Sequence, residues 1–260
     1  MTIAAPSPGE ETLTIPCSHG YNLVGTLFVR DSTRDLIVIC HGILNTRRSK
    51  IIRGLCGGLP YNVFAFDFEG NGDSGGVAKY GNYDEEVENL HDVVGFLRSH
   101  QWNVRCLMGH SRGGAVVLRH ASKHNDVPLI VNIAGRYDHS QAPSFRFSDE
   151  QRKSLAEQGS FVWCPMPING RDYVVTREDM EKRCSLDMSI VARIDGGRTR
   201  VLIIHGECDK TIPVKDAYKF QEMIENSELQ VVPGADHMFR TEEEARQLLD
   251  ALNGWLAKSF

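Results

Sequence analysis

The chain has 260 residues, 41% of them hydrophobic, and a formal net charge of −5. That is enough apolar material for one large core, so a single domain over residues 1–260 is expected. Acids and bases are interspersed without a basic stripe, which excludes nucleic acid as an expected partner.

Residues 1–11 are polar and proline-containing and lack the basic and apolar regions of a signal peptide. The longest apolar runs, such as 36–40, are far too short to span a bilayer. A cytoplasmic protein with no stable membrane association is therefore expected. Residues 12–15 and 21–29 alternate as two strands around a Ser18-His19-Gly20 turn. The run 36–40 is continuously apolar, as in a strand buried on both faces of a parallel sheet. It ends in His41-Gly42-Ile43. A weak amphipathic helix follows over about 47–59, interrupted by Gly57-Gly58. Residues 62–67 form the next strand.

The loop from Glu69 to Gly76 is rich in turn residues. It lacks the G-x-G-x-x-G order and no helix follows at once, which argues against a phosphate cradle. Residues 84–100 predict a helix with Val87, Leu90, Val94 and Leu97 on one face. His91 and His100 lie on or near it and read as solvated or satisfied histidines.

Gly109-His110-Ser111-Arg112-Gly113 has the form G-x-S-x-G. A short apolar run precedes it and Ala115-Val116-Val117-Leu118 follows, which is the strand–turn–helix context of a nucleophile elbow. A serine hydroxyl is a weak nucleophile until a base takes its proton, and a tight turn exposes it to such a base. Residues 129–134 give another buried strand. The β-α-β-α-β order predicts a mostly parallel, doubly wound sheet with its site at the carboxyl ends of the strands. Ser111, His41 and Asp67 all fall there.

From 135 to 198 the alternation fails. So long a stretch between core strands predicts a cap or binding segment rather than a connection. Ser148-Asp149-Glu150-Gln151 reads as a capping box and Thr176-Arg177-Glu178-Asp179 as a second helix start. Phe161-Val162-Trp163 and Tyr173-Val174-Val175 predict a small hairpin. Strand 201–206, a helix over about 214–224, strand 229–232 and a helix over about 242–258 complete about eight core strands. The seven cysteines are odd in number and show no C-x-x-C spacing, so buried free thiols are expected.

Ser111, Asp209 and His237 occur at strand ends in the chain order Ser…Asp…His. With His41-Gly42-Ile43, residues 67–76, 109–114 and 205–213, and Gly234-Ala235-Asp236-His237, the chain resembles the α/β-hydrolase superfamily. Within it, the chain looks most like cinnamoyl-esterase and serine-aminopeptidase-like proteins. It looks closer still to plant-type esterase-like proteins that share Gly-His-Ser-basic-Gly-Gly and Tyr173-Val174-Val175-Thr176-Arg177-Glu178. The resemblance implies an α/β-hydrolase fold and the backbone amides of Ile43 and Arg112 as an oxyanion hole.

His237 lies in a loop after the last strand and is the expected general base and acid. Asp209 would fix its tautomer, with Glu207 and Asp236 as rivals. His41, His110 and His205 at strand ends invite a metal reading, but no H-x-H or H-E-x-x-H spacing supports it, so neither metal nor cofactor is expected. The expected activity is hydrolysis of small soluble carboxylic esters with short to medium acyl or arylalkenoyl groups. Acylglycerol lipase, lysophospholipase, thioesterase or aminopeptidase activity on the same triad, or a weakly hydrolytic ligand receptor, are the alternatives. Phe161, Trp163 and Tyr173 are the expected substrate contacts. Phe145, Phe147, Gln141, Asn169 and Arg171 are further polar and aromatic candidates, and at least half of the cap aromatics are expected to form its core.

Overall fold

The computed structural model of the chain describes residues 9–140, 146–165 and 170–260. Eight strands make one sheet: β1 (Gly9–Pro16), β2 (Asn22–Val29), β3 (Asp35–Cys40), β4 (Asn62–Asp67), β5 (Asn103–His110), β6 (Leu129–Ile133), β9 (Arg200–Gly206) and β10 (Ser227–Val232). Their order is β1-β2-β4-β3-β5-β6-β9-β10. β1 pairs antiparallel with β2, and β2 with β4; every other pairing is parallel. The apolar runs of β3, β4 and β6 sit in the interior of this order, and nearly every residue in them is buried.

Both faces are covered, as a parallel sheet requires. On one face lie α2 (Tyr83–Ser99), α3 (Arg112–His124) and α6 (Lys215–Met223). On the other lie α1 (Lys50–Gly58) and α7 (Glu242–Leu256). α2 forms as its apolar spacing predicts, burying Val87, Leu90, Val94 and Leu97. Asp84, Glu85 and Glu86 in its first turn and Arg98 in its last suit the helix dipole. The break expected at Gly57-Gly58 proves to be the end of α1. A Cβ on Gly58 would stand 2.5 Å from Leu249 Cδ1, so glycine lets α1 approach α7.

Residues 135–198 leave the sheet between β6 and β9. They carry α4 (Asp149–Gln158), a two-stranded antiparallel hairpin of β7 (Ser160–Cys164) and β8 (Tyr173–Thr176), α5 (Arg177–Cys184) and a short 3-10 turn at Ser189–Arg193. Ser148 and Gln151 form the expected capping box, and Thr176 and Asp179 form another.

The Gly-rich loop after β4 wraps around its own carboxylate. Buried Asp67 pairs with the guanidinium of buried Arg47 and accepts from Arg47 N at 2.7 Å and Asp73 N at 3.1 Å. Gly72 has φ +53°, and a Cβ there would lie 2.1 Å from Asp67 Oδ2. Asp73 N is thus committed to Asp67, while Gly70 N and Ser74 N close turns within the loop and Gly75 N donates to Asn22 O. Removing one partner of a buried pair strands the other charge. We expect Arg47→Met to cost about 3–5 kcal/mol in urea unfolding. A loss below about 1 kcal/mol would show that the loop stands without the pair.

Candidate active site

Ser111 sits between β5 and α3 with φ 57° and ψ −116°, a sparsely populated backbone region that costs roughly 1–3 kcal/mol. Its N–H donates to Ile133 O at 2.8 Å, which ties the turn to β6. The turn is tight because its glycines lack Cβ atoms. A Cβ on Gly109 would lie 2.1 Å from Gly113 O, and one on Gly113 would lie 2.5 Å from Cys40 O.

The structure brings three of the predicted residues into one line. Ser111 Oγ is 3.0 Å from His237 Nε2, and His237 Nδ1 is 2.7 Å from Asp209 Oδ2. A carboxylate only accepts, so Nδ1 carries the proton and Nε2 presents a lone pair to the hydroxyl. Asp209 Oδ1 accepts from Thr211 N at 2.7 Å and Ile212 N at 2.8 Å. Burial alone would raise the Asp209 pKa, but hydrogen bonds from His205 and His237 hold it well below the ordinary carboxylate range.

The rivals of Asp209 are engaged elsewhere. Glu207 accepts from Gly234 N at 3.1 Å. Asp236 accepts from Met238 N at 2.8 Å and Arg240 at 2.6 Å, shaping the loop that carries His237.

Ile43 and Arg112 line the same cavity as Ser111, and among the described residues neither backbone N–H donates a hydrogen bond. Arg112 N is one of the orphan donors at the start of α3. Gly42 packs so closely that a Cβ would sit 3.1 Å from Ser111 Cβ. His41 fixes this loop: its Nε2 accepts from Phe68 N at 3.0 Å, leaving Nδ1–H to donate to Gly42 O at 2.7 Å. Burial keeps that imidazole neutral by lowering its pKa.

Two histidines that the sequence raises only as metal candidates have positioning contacts instead. His110 Nε2–H donates to the carbonyl of His237 at 2.8 Å, and burial followed by the neighbouring His237 lowers its pKa to about 3. His205 Nε2 lies 2.9 Å from Ile212 O and 3.2 Å from Asp209 Oδ2, two acceptors that require it to be the donor. Chain position raises both at strand ends, but only as metal candidates; their contacts with the His237 carbonyl and with Asp209 depend on turns that sequence spacing does not encode.

The cavity that includes Ser111 is narrow, about 30 Å³, and is walled by Ile43, Tyr80, Tyr83, Ile212 and several arginines. Larger hollows of about 490 Å³ and 650 Å³ lie away from Ser111. Chemistry rather than size locates the site here. The structure does not bring Phe161, Trp163 or Tyr173 to the described wall of this cavity. They cluster with Phe147 and Val175 behind Tyr80, whose ring meets Trp163 edge-on at 5.4 Å. Arg171 is exposed and donates to Gly76 O at 3.0 Å. Gln141, Phe145 and Asn169 lie outside the described residues.

Away from the site, His91, His120 and His124 bring ring nitrogens within 4.8 Å of one another. The rings of His91 and His124 stack at 4.1 Å and 12°, so their lone pairs lie in two separate, nearly parallel planes.

A family model described as the alpha/beta hydrolase family matches residues 37–251. The chain belongs to that family. This hydrolase is 29% identical over 219 residues to the uncharacterized protein YqkD of Bacillus subtilis, spanning 82% of this chain and 68% of that protein. It is 22% identical over 264 residues to a monoacylglycerol lipase of Mycolicibacterium smegmatis, covering 91% and 93% of the two chains. The ferulic-acid-bound Est1E of Butyrivibrio proteoclasticus superposes with a TM-score of 0.78 at 17% identity, over 95% of this chain and 98% of that one. Among the described residues no helix is long and apolar enough to cross a membrane.

The depressed pKa of Asp209 has a sign in stability. A carboxyl whose folded pKa lies below its unfolded value stabilises above the unfolded value, near ~4, and loses that contribution as pH falls. We therefore expect Asp209→Asn to flatten the loss of stability between about pH 5 and pH 2, measured by thermal melts. A variant as acid-sensitive as wild type would show that Asp209 is not held ionised.

Proposed function

We propose that this hydrolase cleaves small soluble carboxylic esters through an acyl-enzyme on Ser111. The observation that carries the reading is the line Asp209–His237–Ser111 at 2.7 and 3.0 Å, in a cavity also lined by Ile43 and Arg112. Ser111 Oγ attacks the ester carbonyl carbon while its proton passes to His237 Nε2. The carbonyl electrons move onto oxygen, where the N–H groups of Ile43 and Arg112 stabilise them. Collapse expels the alkoxide, which takes the proton from Nε2. Water then repeats the sequence on the acyl-enzyme and frees the acid and Ser111. Asp209 stays ionised throughout and supports the imidazolium.

Short to medium acyl or arylalkenoyl groups are the proposed substrates, and residues 135–198 the proposed cap. Its apolar core packs on Ile43, Leu44 and Tyr80, so the same segment borders the oxyanion loop and the cavity wall.

Ser111→Ala should lower kcat by at least about three orders of magnitude. A fluorophosphonate probe should label wild type and leave the variant untouched; labelling of another serine would overturn the assignment. Because a histidine base must be neutral, the rate should fall on acidification. A rate rising steadily into acid would exclude such a base.

Trp163 is half-buried behind Tyr80, so its loss acts through that ring. Trp163→Ala should change the ranking of kcat/KM across an acyl-length series while melting cooperatively. An unaltered ranking in the folded variant would remove the cap from substrate choice.

A further inference from the structure

α2 and α3 lie side by side in one core, and ion pairs join them in register. Arg119 pairs with Asp84, and one turn further along both helices Lys123 pairs with Glu88. Next to these pairs the two helices bring three histidines together. His91 comes from α2, while His120 and His124 stand one turn apart on the same face of α3. From its sequence position His91 reads as solvated, yet the structure stacks it on His124.

Burial increases inward along the cluster. His91 is exposed, His124 is half-buried and His120 is fully buried. Neither ring nitrogen of His120 has a hydrogen-bond partner among the described residues, and neither does Nε2 of His124. Buried polar atoms are normally paired, so an unpaired group of this kind marks a place where a ligand fits.

Asp126 adds negative charge to the same place. Arg98 holds its Oδ2 at 2.5 Å, while its Oδ1 is buried without a hydrogen-bond partner, 3.8 Å from His120 Nδ1. The nearest other cation, Lys123, is balanced by Glu88. A carboxylate beside a ligating imidazole orients the ring and strengthens it as a ligand.

Neutral imidazole suits Zn²⁺, Ni²⁺ and Cu²⁺, whereas Mg²⁺ and Ca²⁺ take oxygen ligands. Zn–N bonds of about 2.0–2.1 Å put two nitrogens of a tetrahedral ion roughly 3.3 Å apart. The three histidines offer nitrogens within 4.8 Å of one another. Closing on an ion therefore asks for movements on the order of an ångström. His91 also has to leave its stack, because one ion cannot lie in two parallel ring planes. It is exposed and makes no hydrogen bond among the described residues, so rotation about Cβ–Cγ can bring it to the ion.

We propose that His91, His120 and His124 bind one divalent transition-metal ion, Zn²⁺ first, with water completing the shell on the exposed side. The ion staples α2 to α3. His120 stands roughly 13 Å along α3 from Ser111, at about 1.5 Å per residue, so the ion takes no part in the chemistry there.

The test uses the full chain without an affinity tag, stripped of metal with a chelator and dialysed. Calorimetric titration with Zn²⁺ alone should give one ion per chain with a Kd of about 10 μM or tighter. Ni²⁺ should also bind, and Mg²⁺ and Ca²⁺ should not. Saturating Zn²⁺ should raise the melting temperature. His91→Ala and His124→Ala each remove one ligand from the outer side of the cluster. Each should weaken Zn²⁺ by about tenfold or more and remove the melting shift, while still melting cooperatively. Cys208→Ser, which deletes an exposed thiol outside the cluster, should bind Zn²⁺ as wild type does.

Absence of Zn²⁺ binding overturns the site. So does an affinity unchanged in either folded histidine variant. Loss of binding in Cys208→Ser would place the ion at that thiol and overturn the histidine assignment. Equal affinity for Mg²⁺ or Ca²⁺ would overturn ligation by imidazole.

Discussion

The buried carboxylate of Asp209 receives four donors: two loop amides, His205 and His237. A lone charge in this interior would cost several kcal/mol, and the four bonds offset that cost while fixing the geometry. Oδ1 closes the turn after β9, and Oδ2 is left for the imidazoles. The direction of His237 follows, because only Nδ1–H can face the carboxylate. From that tautomer follows the lone pair aimed at Ser111. His110 completes the constraint from the opposite side by donating to the His237 backbone. Each link transmits orientation rather than bulk stability. Thus removing His205 or His110 acts on the line without touching the reacting atoms.

The sheet was legible because its central strands are buried on both faces. The runs at 36–40, 63–66 and 129–133 are nearly unbroken apolar residues, short and bounded by turn signals, as strands buried on both faces require. The elbow was legible for a similar reason, since close approach of strand and helix requires glycine at 109 and 113. Side-chain networks across elements were less visible. His205 and Asp209 are four residues apart, yet their contact depends on a turn whose shape periodicity does not encode. The aromatic hairpin illustrates the same limit. Phe161 and Tyr173 are apolar enough for either a cap core or a cavity wall. What separates the roles is Tyr80, which arrives from the loop before α2 and takes the wall position. Arg136, Arg146 and Arg183 are scattered over nearly fifty residues of sequence, where a charge reads as solvated by default.

Residues 135–198 share two duties. Their aromatic core leans on Ile43 and Leu44, while their arginines border the cavity. A substitution in the hairpin therefore reaches the oxyanion loop through packed rings, and one among the arginines reaches the charge of the cavity. The two routes are physically distinct. Packing reaches the backbone at Ile43 and Leu44, whereas the arginines set the charge of the cavity wall.

The backbone at Ser111 carries a further consequence. Its φ of 57° lies where a residue without a side chain is most at ease. Relaxing the turn with glycine would remove the hydroxyl, and relaxing it by moving the backbone would pull the hydroxyl away from His237. Stability forgone at this position is thus bound to activity. Engineering for heat resistance must look elsewhere, to helix ends and exposed loops, because the elbow cannot be relaxed while it still works.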